Sequence, residues 1–174
     1  MGVEIERTYA YLGAPTRFCK SRKLMPSPRN APPTLLAACN CLALRQAARH
    51  VTQFYDQVLA PCGLRTTQFS ILAKLDRLGP MTINNLAKGL VLDRTTLGRT
   101  ILPLQRHGLV AVLRSAADRR SKVLNLTKAG QRRFRSAAKL WAQAQLRFEA
   151  VFGAPRAAAL RAVLREVSAS ALRP

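Results

Sequence analysis

Residues 93–126 read DRTTLGRTILPLQRHG and then LVAVLRSAADRRSKVLNL, and the change of period inside this stretch decides the fold. Asp93 is an N-cap type, and Leu97, Ile101 and Leu104 recur at i, i+4 and i+7. That spacing predicts a helix over 93–107 with one apolar side. Pro103 removes one backbone hydrogen bond and predicts a bend in the second half, and Gly108 ends the helix. The period then drops to two. Leu109, Ala111 and Leu113 alternate with Val110, Val112 and Arg114, and after a polar loop over 115–121 a second short strand spans 122–126. Two strands around a charged loop predict a β-hairpin.

Working outward, 67–78 predicts a helix whose apolar side is Phe69, Ile71, Leu72 and Leu75, stopped by Gly79-Pro80. A short helix starts at Thr82 with Ile83, Leu86, Ala87 and Leu90 inward, and Gly89 fits its C-terminal cap or turn. Upstream, 34–59 holds no Pro or Gly and predicts a long helix with Thr34 as N-cap. Leu44, Val51, Tyr55, Val58 and Leu59 form its apolar strip, and Pro61 and Gly63 end it. Downstream, Thr127 caps a helix over 127–152. Gly153-Ala154-Pro155 is a break, and 156–172 carries the stripe Leu160, Val163, Leu164 and Val167. The predicted class is mainly α with a small β-hairpin wing, a winged helix-turn-helix with long terminal helices.

Lys and Arg total 29 against 8 Asp and Glu in 174 residues, a formal charge of +21, and 48% of the chain is apolar. One full core is expected, with a polyanionic partner. No apolar run approaches the ~18 residues of a membrane span. Glu4 and Glu6 stand where a signal peptide is basic, so a cytoplasmic protein is expected. Cys19, Cys39, Cys41 and Cys62 form no C-x-x-C, and only His50 and His107 could join them. Reduced thiols, with no metal site and no cofactor, are the expectation. No glycine-rich phosphate loop, paired carboxylates or nucleophile–base spacing points to an enzyme. Residues 1–33 hold five prolines and several scattered cations and read as a flexible basic tail. Either Met1 or Met25 fits a translation start.

The major groove of B-DNA admits one helix. The outward side of 93–107 offers Arg94, Thr95, Thr96 and Arg99 in its first turns, where a recognition helix presents them. Arg99 is the first candidate for a bidentate contact to guanine. The hairpin supplies Arg114, Arg119, Arg120 and Lys122 with one anion, Asp118. A loop of this kind tracks the backbone and can set an Arg in the minor groove. Double-stranded DNA is therefore the expected partner.

Gly108-Leu109-Val110, the wing Asp118-Arg119-Arg120 and the run Leu126-Thr127-Lys128-Ala129-Gly130 resemble the MarR family of bacterial transcriptional regulators, as does Leu64-Arg65-Thr66-Thr67-Gln68-Phe69. The resemblance covers about 34–172. It implies one domain over 34–174, with dimerisation helices in 34–62 and 127–174 and a DNA-binding lobe over 63–126. It implies a homodimer on a pseudo-palindromic operator, a repressor released by a small aromatic or lipophilic effector. Arg120 then enters the minor groove with Asp118 as its motif partner. The chain's own pattern agrees, because the apolar stripes of the terminal helices need a partner, with Leu35, Leu36, Leu160, Leu164 and Val167 as contacts.

The resemblance leaves the signal open. Cys41 stands where the organic-peroxide-sensing branch places its reactive cysteine. Tyr55 matches one of that branch's two tyrosines, and Arg45 occupies the position of the other. Arg45 at i+4 from Cys41 favours a thiolate. A ligand pocket between the first, second and fifth helices is the other option, lined by His50, Phe54, Phe69 and Trp141. Outside regulation altogether, a basic architectural nucleic-acid-binding protein fits the charge, and a steep salt slope would distinguish it.

Overall fold

The computed structural model describes residues 36–114 and 122–172. The chain divides into two compact units, Met1–Ala38 and Cys39–Pro174. Of the first, only a turn at 36–38 is described. The expected tail over 1–33, Thr34, Leu35, and the loop residues Asp118, Arg119 and Arg120 all lie outside the described residues.

The second unit runs α1 (Asn40–Leu59), a 3-10 turn (Ala60–Cys62), α2 (Thr66–Leu78), β1 (Met81–Thr82), α3 (Ile83–Leu90) and α4 (Arg94–Arg106). It continues with β2 (Val110–Arg114), β3 (Lys122–Leu126), α5 (Lys128–Phe152) and α6 (Ala154–Ala169). The fold class predicted from the sequence is the one observed: helices with a small antiparallel sheet. The sheet holds a third strand that the sequence did not announce, in the order β1-β3-β2. Val110 pairs with Leu126 and Arg114 with Lys122 across the hairpin, while Met81 and Thr82 pair with Leu124 and Val123.

Three boundaries differ from expectation. The first helix starts at Asn40 rather than near 34, because Cys39 is extended (φ −80°, ψ 104°) and its Sγ accepts the Leu42 N–H at 3.4 Å. Sulfur is a weak acceptor, so capping preferences pointed to the Thr34 hydroxyl instead. The left-handed residue after α3 is Val91 (φ 53°), not Gly89, which lies inside the helix. A β-branched residue is costly in that conformation, which is why glycine was the expected position. The last helix begins at Ala154, with Pro155 in its first turn, where a missing N–H does no harm.

Leu59, Ile71, Leu72, Leu86, Leu97 and Leu104 are fully buried and centre the core where α1, α2, α3 and α4 meet. The joint between α1 and α2 is fixed by Asp56. Its Oδ1 accepts the Thr66 N–H at 2.6 Å and the Thr66 hydroxyl at 2.7 Å, and its Oδ2 pairs with Arg65 at 3.4 Å. A carboxylate of one helix thus caps the next. Asp56→Ala should lower stability by about 1–2 kcal/mol, as loss of an N-cap does, and Asp56→Asn by less. Thermal unfolding of the two variants checks this, and equal midpoints in both and in the parent protein would refute it.

The start of α5 approaches β2 closely. Thr127 accepts the Gly130 N–H at 3.0 Å, and its hydroxyl donates to the Gly108 carbonyl at 2.7 Å. A Cβ built on Gly130 would stand 2.1 Å from the Leu109 carbonyl oxygen. No side chain fits there, so glycine is required for α5 to seat against the root of the hairpin.

Candidate nucleic-acid interface

Asp93 caps α4, its Oδ1 accepting the Thr96 N–H at 2.8 Å. Hydrogen bonds from the Thr96 side chain first, then its backbone, hold the Asp93 carboxyl below the usual carboxylate range. The cap is therefore charged, and complete, at neutral pH. Leu97, Ile101 and Leu104 are buried, which anchors one side of the helix. Arg94, Thr95, Thr96 and Arg99 are all exposed. At the helical turn of about 100° per residue, Thr95, Arg99, Leu102 and Arg106 line up opposite the buried side. Leu102 is 45% exposed and Arg106 is exposed. The sequence reading missed Arg106, although its seven-residue spacing from Arg99 was visible.

The hairpin adds Arg114 and Lys122, both exposed and directly opposite each other in the strand register. Like charges facing across a ladder repel, so this pair gains from an anion nearby. Among the described residues the ion pairs are Arg65–Asp56 and Arg161–Glu149. The cations of α4 and of the hairpin root are thus not neutralised by described acids.

The candidate sensing residues do not form one group. Cys41, Arg45 and His50 are exposed along α1, and Tyr55 is buried. Fourteen residues of helical rise separate Cys41 from Tyr55 by about 21 Å, so the two do not meet within one chain. The Tyr55 hydroxyl instead donates to Oε1 of Gln145 on α5. Burial first, then the Glu149 charge, raises the Tyr55 pKa against an opposing effect of Arg161, and this keeps the phenol protonated as a donor. Phe54 meets Tyr55 edge-on with centroids 5.4 Å apart. Phe69 is a core residue, 5.5 Å from Phe134 and stacked 5.9 Å from Trp141. Of that group Trp141 is the exposed member, at 37%. Phe134 and Gln145 carried no sequence signal beyond helical phase.

The expected contact residues are open to solvent in the single chain. Leu36, Leu160, Leu164 and Val167 are all exposed, Leu164 at 38% and Val167 at 41%. Arg161, Leu164, Arg165, Ser168 and Ala169 form an open surface along α6. Among the described residues no helix is long and apolar enough to cross a membrane.

The MarR family model matches residues 64–122, which hold α2 to the first residue of β3. The solved structure of the M. tuberculosis transcriptional regulator MosR in complex with DNA is 37% identical, with 75% of this chain and 93% of that one covered at a TM-score of 0.66. This chain belongs to the MarR family. The lobe of α2, α3, α4 and the hairpin is its winged helix-turn-helix. A second structural relative, the transcriptional repressor CouR bound to a 23-mer DNA duplex, is 28% identical over 80% of this chain and 99% of its own, with a TM-score of 0.71. The uncharacterized HTH-type transcriptional regulator YwoH of Bacillus subtilis is 33% identical over 91 residues. That match spans 52% of this chain and 66% of YwoH, just under two thirds of its length. The MarR resemblance read from the wing and from the Leu-Thr-Lys-Ala-Gly run is therefore correct.

Proposed function

We propose that this MarR-family chain is a sequence-specific regulator of transcription in the cytoplasm, a repressor acting as a homodimer on a pseudo-palindromic operator and released by a small aromatic or lipophilic molecule. The observation that carries the proposal is the outward side of α4. Thr95, Arg99 and Arg106 stand opposite a buried apolar side, on a helix whose start is fixed by Asp93. A helix held this way presents guanidinium groups to base edges without a search over rotations. The wing cations Arg114, Lys122, Arg119 and Arg120 serve the flanking backbone and minor groove, with Asp118 steadying Arg120. The DNA complexes of MosR and CouR support the DNA partner, and CouR, a repressor, supports the sign of regulation.

Homodimerisation is supported by the exposed stripe of α6, since water-facing Leu160, Leu164 and Val167 gain from burial against a second copy. An aromatic effector is supported by Phe54 and Trp141, whose partly open rings stand beside buried Tyr55 and Phe69. The exposed Cys41 keeps a cysteine-based peroxide response as the alternative signal.

Fluorescence anisotropy with DNA from upstream of the chain's own gene, against excess random duplex, tests the reading. Arg99→Ala should cost about 1–3 kcal/mol and relax sequence preference. Equal loss on upstream and random DNA would assign Arg99 to phosphate instead. Release by an organic hydroperoxide, reversed by thiol and lost in Cys41→Ser, would select the redox signal. Complete displacement by random duplex would select the architectural reading.

A further inference from the structure

The solvent side of α5 carries a second basic feature. Lys128, Arg132, Arg135 and Lys139 are exposed and spaced i, i+4, i+7 and i+11. They make one line along three turns, about 16 Å from end to end. The line lies opposite Gly130, Ala137 and Ala144, the buried side of the helix. Each neighbour in the line is a like charge at i+3 or i+4, an arrangement that destabilises an isolated helix. The first turn of α5 holds no acid, so Lys128 also opposes the helix dipole there. Neither ion pair among the described residues involves these four side chains. Arg133, on a different face of α5, is engaged with the Cys62 carbonyl at 2.6 Å. Packing does not explain four mutually repelling cations in register; a polyanion does.

We propose that this side of α5 is a second, sequence-independent contact for the phosphodiester backbone of duplex DNA, separate from α4 and the hairpin. The inference rests on the reading of the chain as a duplex-DNA binder. The line begins at the root of the hairpin, where Thr127 ties α5 to the Gly108 carbonyl. Phosphates of one strand recur every 3.4 Å along the duplex axis, so a line of about 16 Å faces roughly five of them. Gln131, Ser136 and Gln143 flank the line, with no aromatic ring on that side. Stacking platforms for single strands use such rings, and helices that lie on membranes need an apolar face there, so duplex backbone is the occupant the chemistry favours.

The test is the triple variant Arg132→Gln, Arg135→Gln and Lys139→Gln in the full chain. Glutamine keeps helix propensity and a polar side chain, and circular dichroism verifies the fold. Binding to a long random-sequence duplex is measured across a salt series. The slope of log K against log salt should fall by about 2.7 for three lost phosphate contacts, with affinity down at least about tenfold at low salt. Preference for the upstream DNA over random duplex should survive. A control triple, Arg49→Gln, Arg77→Gln and Arg147→Gln, removes the same charge elsewhere and should change the slope by less than about 1. An unchanged slope in the α5 triple overturns the proposal while leaving duplex binding intact, and so does an equal fall in both triples. A parent protein that binds neither duplex overturns the DNA-binding reading, and this proposal with it.

Discussion

Gly130→Ala is expected to unfold the joint between the wing and α5, lowering stability by about 3 kcal/mol and the melting temperature by roughly 6–12 °C. The reason is geometric. The new methyl would sit 2.1 Å from the Leu109 carbonyl oxygen, 2.7 Å from a Leu126 methyl carbon and 3.0 Å from the Leu109 carbonyl carbon. The nearest of these atoms is backbone, in the residue just before β2, and cannot swing aside as a side chain would. Either α5 lifts or β2 retreats, and both break the Thr127 bonds to Gly108 and Gly130. On an open helix surface the same change would stabilise by up to about 1 kcal/mol, because alanine is the better helix former. The sign of the effect therefore separates a packing requirement from a propensity effect. Differential scanning calorimetry of the variant decides it, and a melting temperature at or above that of the parent chain would show that α5 does not approach β2 this closely. Duplex binding should fall in parallel, since the hairpin and α4 are held through the same joint.

Gly130 also shows what could be read in advance. The run Leu126-Thr127-Lys128-Ala129-Gly130 carried the MarR resemblance, but a one-dimensional pattern gave no reason for its glycine; the reason is a backbone twenty-one residues away. Periodicity was enough for α2, α4 and β3, because each buries a face of its own with a regular period, while β2 was legible from its residue alternation although it buries Val110 alone. It failed where a partner from elsewhere in the chain sets the structure. The two-residue β1 exists only by pairing with Leu124 and Val123. Asp56 caps a helix other than its own, and Tyr55 finds Gln145 on α5, ninety residues on. On α4, the exposure of Arg94, Thr95, Thr96 and Arg99 was legible because exposure on an amphipathic helix is a matter of phase. The basic line on α5 had an equally plain spacing. Spacing alone does not separate it from an ordinary solvated face; that neither ion pair among the described residues involves it is visible only in three dimensions.

Leu164→Asp is expected to convert the protein to a monomer at micromolar concentration. Leu160, Val163, Leu164 and Val167 make one stripe on α6, each between 36% and 54% exposed in the single chain. Four aliphatic side chains in register on water are a surface that association would bury. In a two-fold dimer the substitution enters twice, and each uncompensated carboxylate in an apolar contact costs about 3–5 kcal/mol. A combined loss of about 6–10 kcal/mol weakens self-association by four orders of magnitude or more. Arg161, one turn back, and the adjacent Arg165 are the cations most able to soften the effect. For that reason Leu164→Ala provides a second, milder reading, with weakening and no new charge. The core of the lobe, centred on Leu72, Leu97 and Leu104, is remote in sequence from α6 and should keep its secondary structure in both variants. Sedimentation equilibrium gives the mass, and anisotropy on the upstream duplex gives the consequence, because one recognition helix engages half of a two-fold site and loses most of the affinity that two joined helices share. A Leu164→Asp protein that still sediments as a dimer would show that this stripe faces something other than a second copy, and the unpaired apolar side of α6 would then mark a different partner.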